Sequence, residues 1–276
     1  MKKANVKQRL ISAAVGIGLL VGVLIFYDTY VLVVALAILS AVAVYELLAN
    51  TGFFTSKMGA GLCALYAGSC IFWVRQGVKA YALAFLAFLV ILILCKLAFY
   101  KQFTFLQFAV CSFAVTVIPF SFATVMMLIH AKQEGPIYFI LVCLAAWMTD
   151  SAAFIVGSLC GKRKIAPELS PNKTLEGAVG GLAATGILFP LACYGYWRFV
   201  LPYAEFSLSS ALIVGLVCAL SGMLGDLFAS AVKRETGIKD FGRIMPGHGG
   251  VLDRFDSVLF VAPTLYFLIQ VIPIFL

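Results

Sequence analysis

Charge is scarce in this sequence. Only 12% of its 276 residues are Asp, Glu, Lys or Arg, and histidine occurs twice. Hydrophobic residues make up 63% and the mean hydropathy is +1.06. Soluble domains hold about 45–50% apolar residues, so an ordinary water-soluble fold is excluded and an integral membrane protein is implied. Low-complexity linkers and abrupt composition shifts are missing, which argues for one membrane domain without a soluble module. No C-x-x-C pair occurs, and the eight cysteines stand singly in or beside apolar segments. That spacing argues for small buried hydrophobes over a disulfide framework or a zinc site.

Long apolar runs are what the chain has in abundance. The first, Leu10 to Tyr27, follows Lys2, Lys3, Lys7 and Arg9 and ends at Phe26-Tyr27-Asp28, with no small-residue cleavage site. It reads as a retained helix and not as a removed leader. Eight further runs follow at about 30–49, 58–74, 80–95, 103–130, 137–160, 177–200, 207–230 and 257–276. Crossing the hydrocarbon layer of ~30 Å takes about 20 helical residues, and none of the runs alternates as a barrel strand would. The expected fold is therefore all-α and polytopic, with nine transmembrane helices. The fifth run is over-long and contains Pro119, which predicts a kink or a partly interfacial segment. About five helices fall in a first region, 1–135, and the remainder in a second, 136–276.

The formal charge of +8 does not imply nucleic acid here, because the basic residues sit in short loops, where anionic headgroups are the natural partner. With the N-terminus in the cytosol and the C-terminus outside, all Lys and Arg except Arg75, Lys79, Lys132 and Arg198 fall on the inner side. This bias supports that orientation. Two polar loops, 161–176 and 231–256, then face the cytosol.

Two acids lie inside apolar helices. A carboxylate there costs at least roughly 2.5–3.5 kcal/mol, so Asp150 and Asp226 should face the bundle interior or a wet cavity. Gly222, Ala229 and Lys233 share the Asp226 face, and Phe154, Gly157 and Gly161 share that of Asp150. The structural alternative for each is an acid hydrogen-bonded between helices. Past Asp226 the chain returns with Asp253 and Asp256, three apart and on one face if a helix starts there. Carboxylates at a membrane edge suit Mg²⁺, which takes one or two of them plus substrate phosphates; the alternative is helix capping and charge balance with Arg254.

Pro246-Gly247-His248-Gly249-Gly250 precedes these acids, and successive N–H groups in such a turn favour phosphate. His248 stands alone, which suits a phosphate contact better than a metal. Lys233, Arg234, Lys239, Arg243 and Arg254 surround the turn in sequence. In the other loop, Ser170-Pro171-Asn172-Lys173-Thr174 reads as a proline turn with an Asn cap and a lysine at a helix start, with Glu176 orienting Lys173. Lys162, Arg163 and Lys164 fit ordinary inner-side charge. Glu46, at the inner end of the second helix, reads as interfacial. Glycine pairs at Gly18/Gly22, Gly157/Gly161 and Gly177/Gly181 permit close packing inside a monomer or between copies, so a homodimer is an open expectation.

Three stretches together resemble the CDP-diacylglycerol synthases, also called phosphatidate cytidylyltransferases. They are Ser230-x-x-Lys233-Arg234-x-x-x-x-Lys239-Asp240-x-Gly242 with Pro246-x-His248-Gly249-Gly250-x-x-Asp253-Arg254-x-Asp256, then Asp150-Ser151-x-Ala153-Phe154-x-x-Gly157, and Ser170-Pro171-Asn172-Lys173-Thr174-x-Glu176-Gly177. The resemblance covers the C-terminal half, from about residue 146. Met245 and Leu175 depart from the usual residues but stay apolar. It implies a polytopic helical enzyme that joins CTP and phosphatidic acid into CDP-diacylglycerol, releasing pyrophosphate with Mg²⁺, alone or with a second cation; the compactness of the chain suggests a bacterial inner membrane. Transferred residue by residue, Asp226, Asp253 and Asp256 are the metal acids and, with Lys233 and Lys239, the catalytic set. Lys173, Ser170, Asn172, Arg234, His248, Gly249, Gly250, Arg254 and Asp150 are the expected substrate and phosphate contacts.

An ion-coupled transporter is the rival from another class. Against it, the polar residues gather in loops and not at the bilayer midplane, and no internal repeat is visible. The D-G-x-x-A-R start of CDP-alcohol phosphotransferases and the D-D-x-x-D cluster of polyprenyl transferases are both missing.

Overall fold

The computed structural model describes residues 16, 18, 21–54, 56–131, 134–245, 247 and 249–275. Among these it holds eight helices long and apolar enough to cross a membrane. They confirm an all-α polytopic membrane protein. The first apolar run, from Leu10, lies largely outside the described residues, though 21–25 are helical.

The helices are α1 (Tyr30–Asn50), α2 (Lys57–Gln76), α3 (Val78–Ala98), α4 (Phe105–Ile129), α5 (Gly135–Cys143) and α6 (Thr149–Cys160), the last two joined through a π-helical turn, Leu144–Met148. A short hairpin follows, β1 (Lys164–Ala166) antiparallel to β2 (Ser170–Thr174), an element the apolar pattern does not disclose. Then come α7 (Leu175–Phe199), α8 (Leu208–Glu235), the four-residue α9 (Leu252–Phe255) and α10 (Val258–Val271).

Local chemistry starts several of these helices. Thr29 Oγ1 accepts from Val31 N at 3.2 Å and Ser56 Oγ from Gly59 N at 3.1 Å. Before α4, Thr104 and Gln107 exchange side-chain and backbone bonds in a reciprocal capping box. A single residue, Gly77 at φ 123°, turns α2 into α3. The α4 helix runs unbroken through Pro119. Most of α3 is exposed, with only Leu92 buried, as befits a helix that lipid can solvate.

The chain divides into two compact units, Met1–Met127 with Lys233–Phe255, and Leu128–Val232 with Asp256–Leu276. In the first, α1 and α2 pack closely. Ser40 Oγ donates to Ala67 O at 3.1 Å, and a Cβ on Gly68 would lie 3.1 Å from Ala37 O. In the second, α6 and α7 meet along glycine. A Cβ on Gly157 would stand 2.8 Å from Thr174 Oγ1, and one on Gly181 2.8 Å from Thr149 O. The pairs Gly157/Gly161 and Gly177/Gly181 thus serve contact within one chain. Buried Thr149 and Thr185 add a hydroxyl contact of 2.6 Å across the same seam.

Candidate functional site

The first unit builds a cluster around the 240–255 loop. Asp253 sits on α9 with 8% exposure. Its Oδ1 accepts from Lys233 Nζ at 3.0 Å, and its Oδ2 from the backbone N–H groups of Phe241 at 2.8 Å and Gly250 at 3.0 Å. One carboxylate therefore ties the end of α8 to both arms of the loop. Lys233 also lies 5.3 Å from the Phe241 ring centroid, a cation–π distance that eases burial of its charge. Gly249 has φ 93°, and a Cβ there would come 3.1 Å from Asp253 Oδ2. That position needs glycine for backbone conformation. Lys239, Arg243, Arg234 and Arg254 are exposed. Pro246 and His248, both named from the sequence, lie outside the described residues.

Sequence reasoning missed Glu46. Far from interfacial, it is 1% exposed and accepts from Val251 N at 3.1 Å and Leu252 N at 2.9 Å. One turn on, Asn50 Nδ2 donates to Phe241 O at 2.6 Å. Glu46 and Asn50 lie on one face of α1 and hold opposite arms of the loop. The available signal was an acid and an amide four residues apart at the end of an otherwise apolar helix.

The second unit builds the other cluster. Lys173, at the end of β2, forms an ion pair with Asp226 on α8, both side chains about a quarter exposed (26% and 25%). Gly225, beside Asp226, lets α8 lie against the start of the last segment, for a Cβ there would stand 2.8 Å from Asp256 O. Asp256 Oδ1 accepts from Ser257 N at 2.8 Å, and Ser257 Oγ donates to Asp150 Oδ2 at 3.0 Å. This bond joins Asp150 on α6 to the turn that leads into α10.

Three local expectations are corrected. The cap of α7 is Thr174, whose Oγ1 accepts from Gly177 N at 3.1 Å, while Asn172 lies exposed in β2. Ser170 begins that strand, half-buried. Glu176 does not orient Lys173; it accepts from the backbone N–H groups of Lys162 at 2.9 Å and Arg163 at 3.1 Å, pinning the start of the hairpin to α7. Asp253 and Asp256 do not share one continuous helix, since a turn separates α9 from α10.

The donor chemistry of Asp226, Asp253 and Asp256 suits a hard divalent cation, but among the described residues no three metal-ligating side chains form a cluster. Asp226 is paired with Lys173 and Asp253 with Lys233.

The two clusters share a grammar: a polar segment leaving the membrane helices, a backbone-binding glutamate, and a lysine–aspartate pair. They define the class, a polytopic membrane protein with charged loops suited to anionic substrates. A family model described as Cytidylyltransferase family matches residues 7–272, and the chain belongs to that family. Among curated relatives, a protein of Staphylococcus aureus (strain COL) is 40% identical over 171 residues, 61% of this chain and 62% of that one. A protein of Bacillus subtilis (strain 168) is 39% identical over 201 residues, 72% of this chain and 71% of that one. Both are named phosphatidate cytidylyltransferase. The match spans 62% of the length of the staphylococcal relatives.

Proposed function

We propose that this protein is a phosphatidate cytidylyltransferase: it transfers CMP from CTP to phosphatidic acid, forming CDP-diacylglycerol and pyrophosphate in phospholipid biosynthesis. The observation that carries the proposal is the family match across residues 7–272. Two lysine–aspartate pairs beside exposed basic residues support it, because both substrates are anionic and need charge neutralisation.

In the proposed reaction a phosphate oxygen of phosphatidate attacks the α-phosphorus of CTP in line. A new P–O bond forms as the bond to the β-bridging oxygen breaks, and pyrophosphate carries away the electron pair. Positioning and neutralisation suffice, so no covalent protein nucleophile is invoked. Lys173, Lys233, Arg234, Lys239 and Arg254 are the proposed phosphate clamps, with His248, Gly249 and Gly250 as turn contacts and Ser170, Asn172 and Asp150 as further substrate contacts. Mg²⁺ would supply charge neutralisation on the phosphates, with Asp226, Asp253 and Asp256 as the candidate carboxylates. The basic residues also support an orientation with both polar loops in the cytosol of a bacterial inner membrane.

The test uses purified full-length protein in mixed micelles with phosphatidate and radiolabelled CTP. Labelled CDP-diacylglycerol forming with Mg²⁺ and lost on chelation is the expected result. No labelled lipid under any divalent cation refutes the proposal.

A further inference from the structure

Glu46 stands apart from every residue the family motifs single out. It comes from α1, in the half of the chain that carries no motif, and reaches a loop more than two hundred residues later. A buried carboxylate needs strong compensation, and here the backbone N–H groups of Val251 and Leu252 provide it. Those two residues immediately precede Asp253. The same carboxylate fills the space a side chain would take at two glycines of the loop. A Cβ on Gly242 or on Gly250 would land on Glu46, and at Gly250 all three nearest atoms belong to its carboxyl group.

Gly250 is not at positive φ, unlike Gly249. Its backbone would accept alanine. What demands glycine there is the approach of Glu46, where the sequence had suggested approach of a ligand. The loop is thereby shaped from inside: Asp253 binds the N–H groups of Phe241 and Gly250, Asn50 binds the carbonyl of Phe241, and Glu46 binds the two residues between Gly250 and Asp253.

We propose that Glu46 is a positioning residue for the 240–255 loop, so that α1 is part of the machinery that aims Asp253 and Lys233 and not a membrane anchor alone. The consequence for turnover rests on the reaction proposed above; the ordering of the loop does not. In Glu46→Gln one backbone N–H faces an NH₂ group, donor against donor, and the loop loosens while α1 keeps its length and packing.

Two measurements on the full-length protein in micelles test this. The first is amide hydrogen exchange. Glu46→Gln should speed exchange in 249–255 by about tenfold or more, with α6 and α7 unchanged, because local opening follows the lost bonds. Unchanged protection of 249–255 overturns the proposal, whatever reaction the protein catalyses. The second is a double-mutant cycle on CDP-diacylglycerol formation, scored once the wild type is seen to turn over. Gly250→Ala should lower the rate by about 10–100-fold, the range for residues that orient a catalytic group. Glu46→Asp, one methylene shorter, should restore part of that loss by making room for the new methyl group. If Gly250→Ala costs as much beside Asp as beside Glu at position 46, Glu46 is not what the glycine accommodates and the proposal fails. A wild type that forms no product defeats the reaction and leaves the exchange result to decide the role of Glu46.

Discussion

The two polar segments solve the same problem at different range. In the 161–176 segment, Glu176 takes two backbone N–H groups only 14 and 13 residues before it in the chain. In the 240–255 segment, Glu46 takes two that lie 205 and 206 residues after it. The first arrangement is a local turn and could form as soon as α7 begins. The second exists only when α1 and the loop are brought together, and closing so long a separation must be offset by burial. The ion pairs follow suit. Lys233 and Asp253 have side-chain exposures of 14% and 2%, Lys173 and Asp226 of 26% and 25%. The deeper a pair is buried, the more removal of one partner costs. Among the described residues, the contacts of the 240–255 loop are accordingly the longer in range and the more deeply buried, and those of the hairpin the more local.

That contrast breaks most visibly at Asp253. Asp253→Asn should reduce cytidylyl transfer by about a hundredfold or more, as removal of an aligned charged group does. It should also destabilise the protein by roughly 3 kcal/mol, because Lys233 is left buried without its counter-charge. Initial rates and thermal unfolding in the same micelles check both, and near-normal turnover refutes the assignment.

The less buried pair should separate activity from stability. Lys173→Met or Asp226→Asn is expected to lower the rate by about tenfold or more, while the unfolding free energy falls by less than it does for Asp253→Asn, since this pair is the less buried of the two. A stability loss as large as that of Asp253→Asn would erase the distinction between the two clusters. The smallest effect is expected at Glu176→Gln. Its partners are local and solvated, so hairpin exchange at 162–174 should quicken with no change in thermal midpoint. A global destabilisation there would show that the hairpin is as deeply built in as the other loop.

Much of the candidate site could be read one residue at a time. Asp226 stands out as an acid in an apolar helix, and Lys173 as a cation before a helix start. Their partnership could not be read, because Glu176 was the nearer acid in sequence and spacing favours the near neighbour. The proline turn points to Asn172 as the cap on α7, but Thr174 directly precedes the helix and supplies the hydroxyl. In sequence Glu46 looks like any acid at a membrane edge. Only its burial against Gly242 and Gly250 distinguishes it.

Hydropathy settled the number, length and helical character of the described spans, because a helix crossing lipid must satisfy its backbone within itself and so needs an unbroken apolar run. The same one-dimensional signal located both polar segments and their charged residues. Which carboxylate meets which N–H or ammonium was a matter for tertiary structure. A hydrogen bond is decided over about 3 Å of space, and residues 46 and 251 carry no mark in the chain of being neighbours. The turn between α9 and α10 belongs to the same category: Asp253 lies on α9 and Asp256 in the turn that follows it, where helical periodicity alone would have run one helix through both.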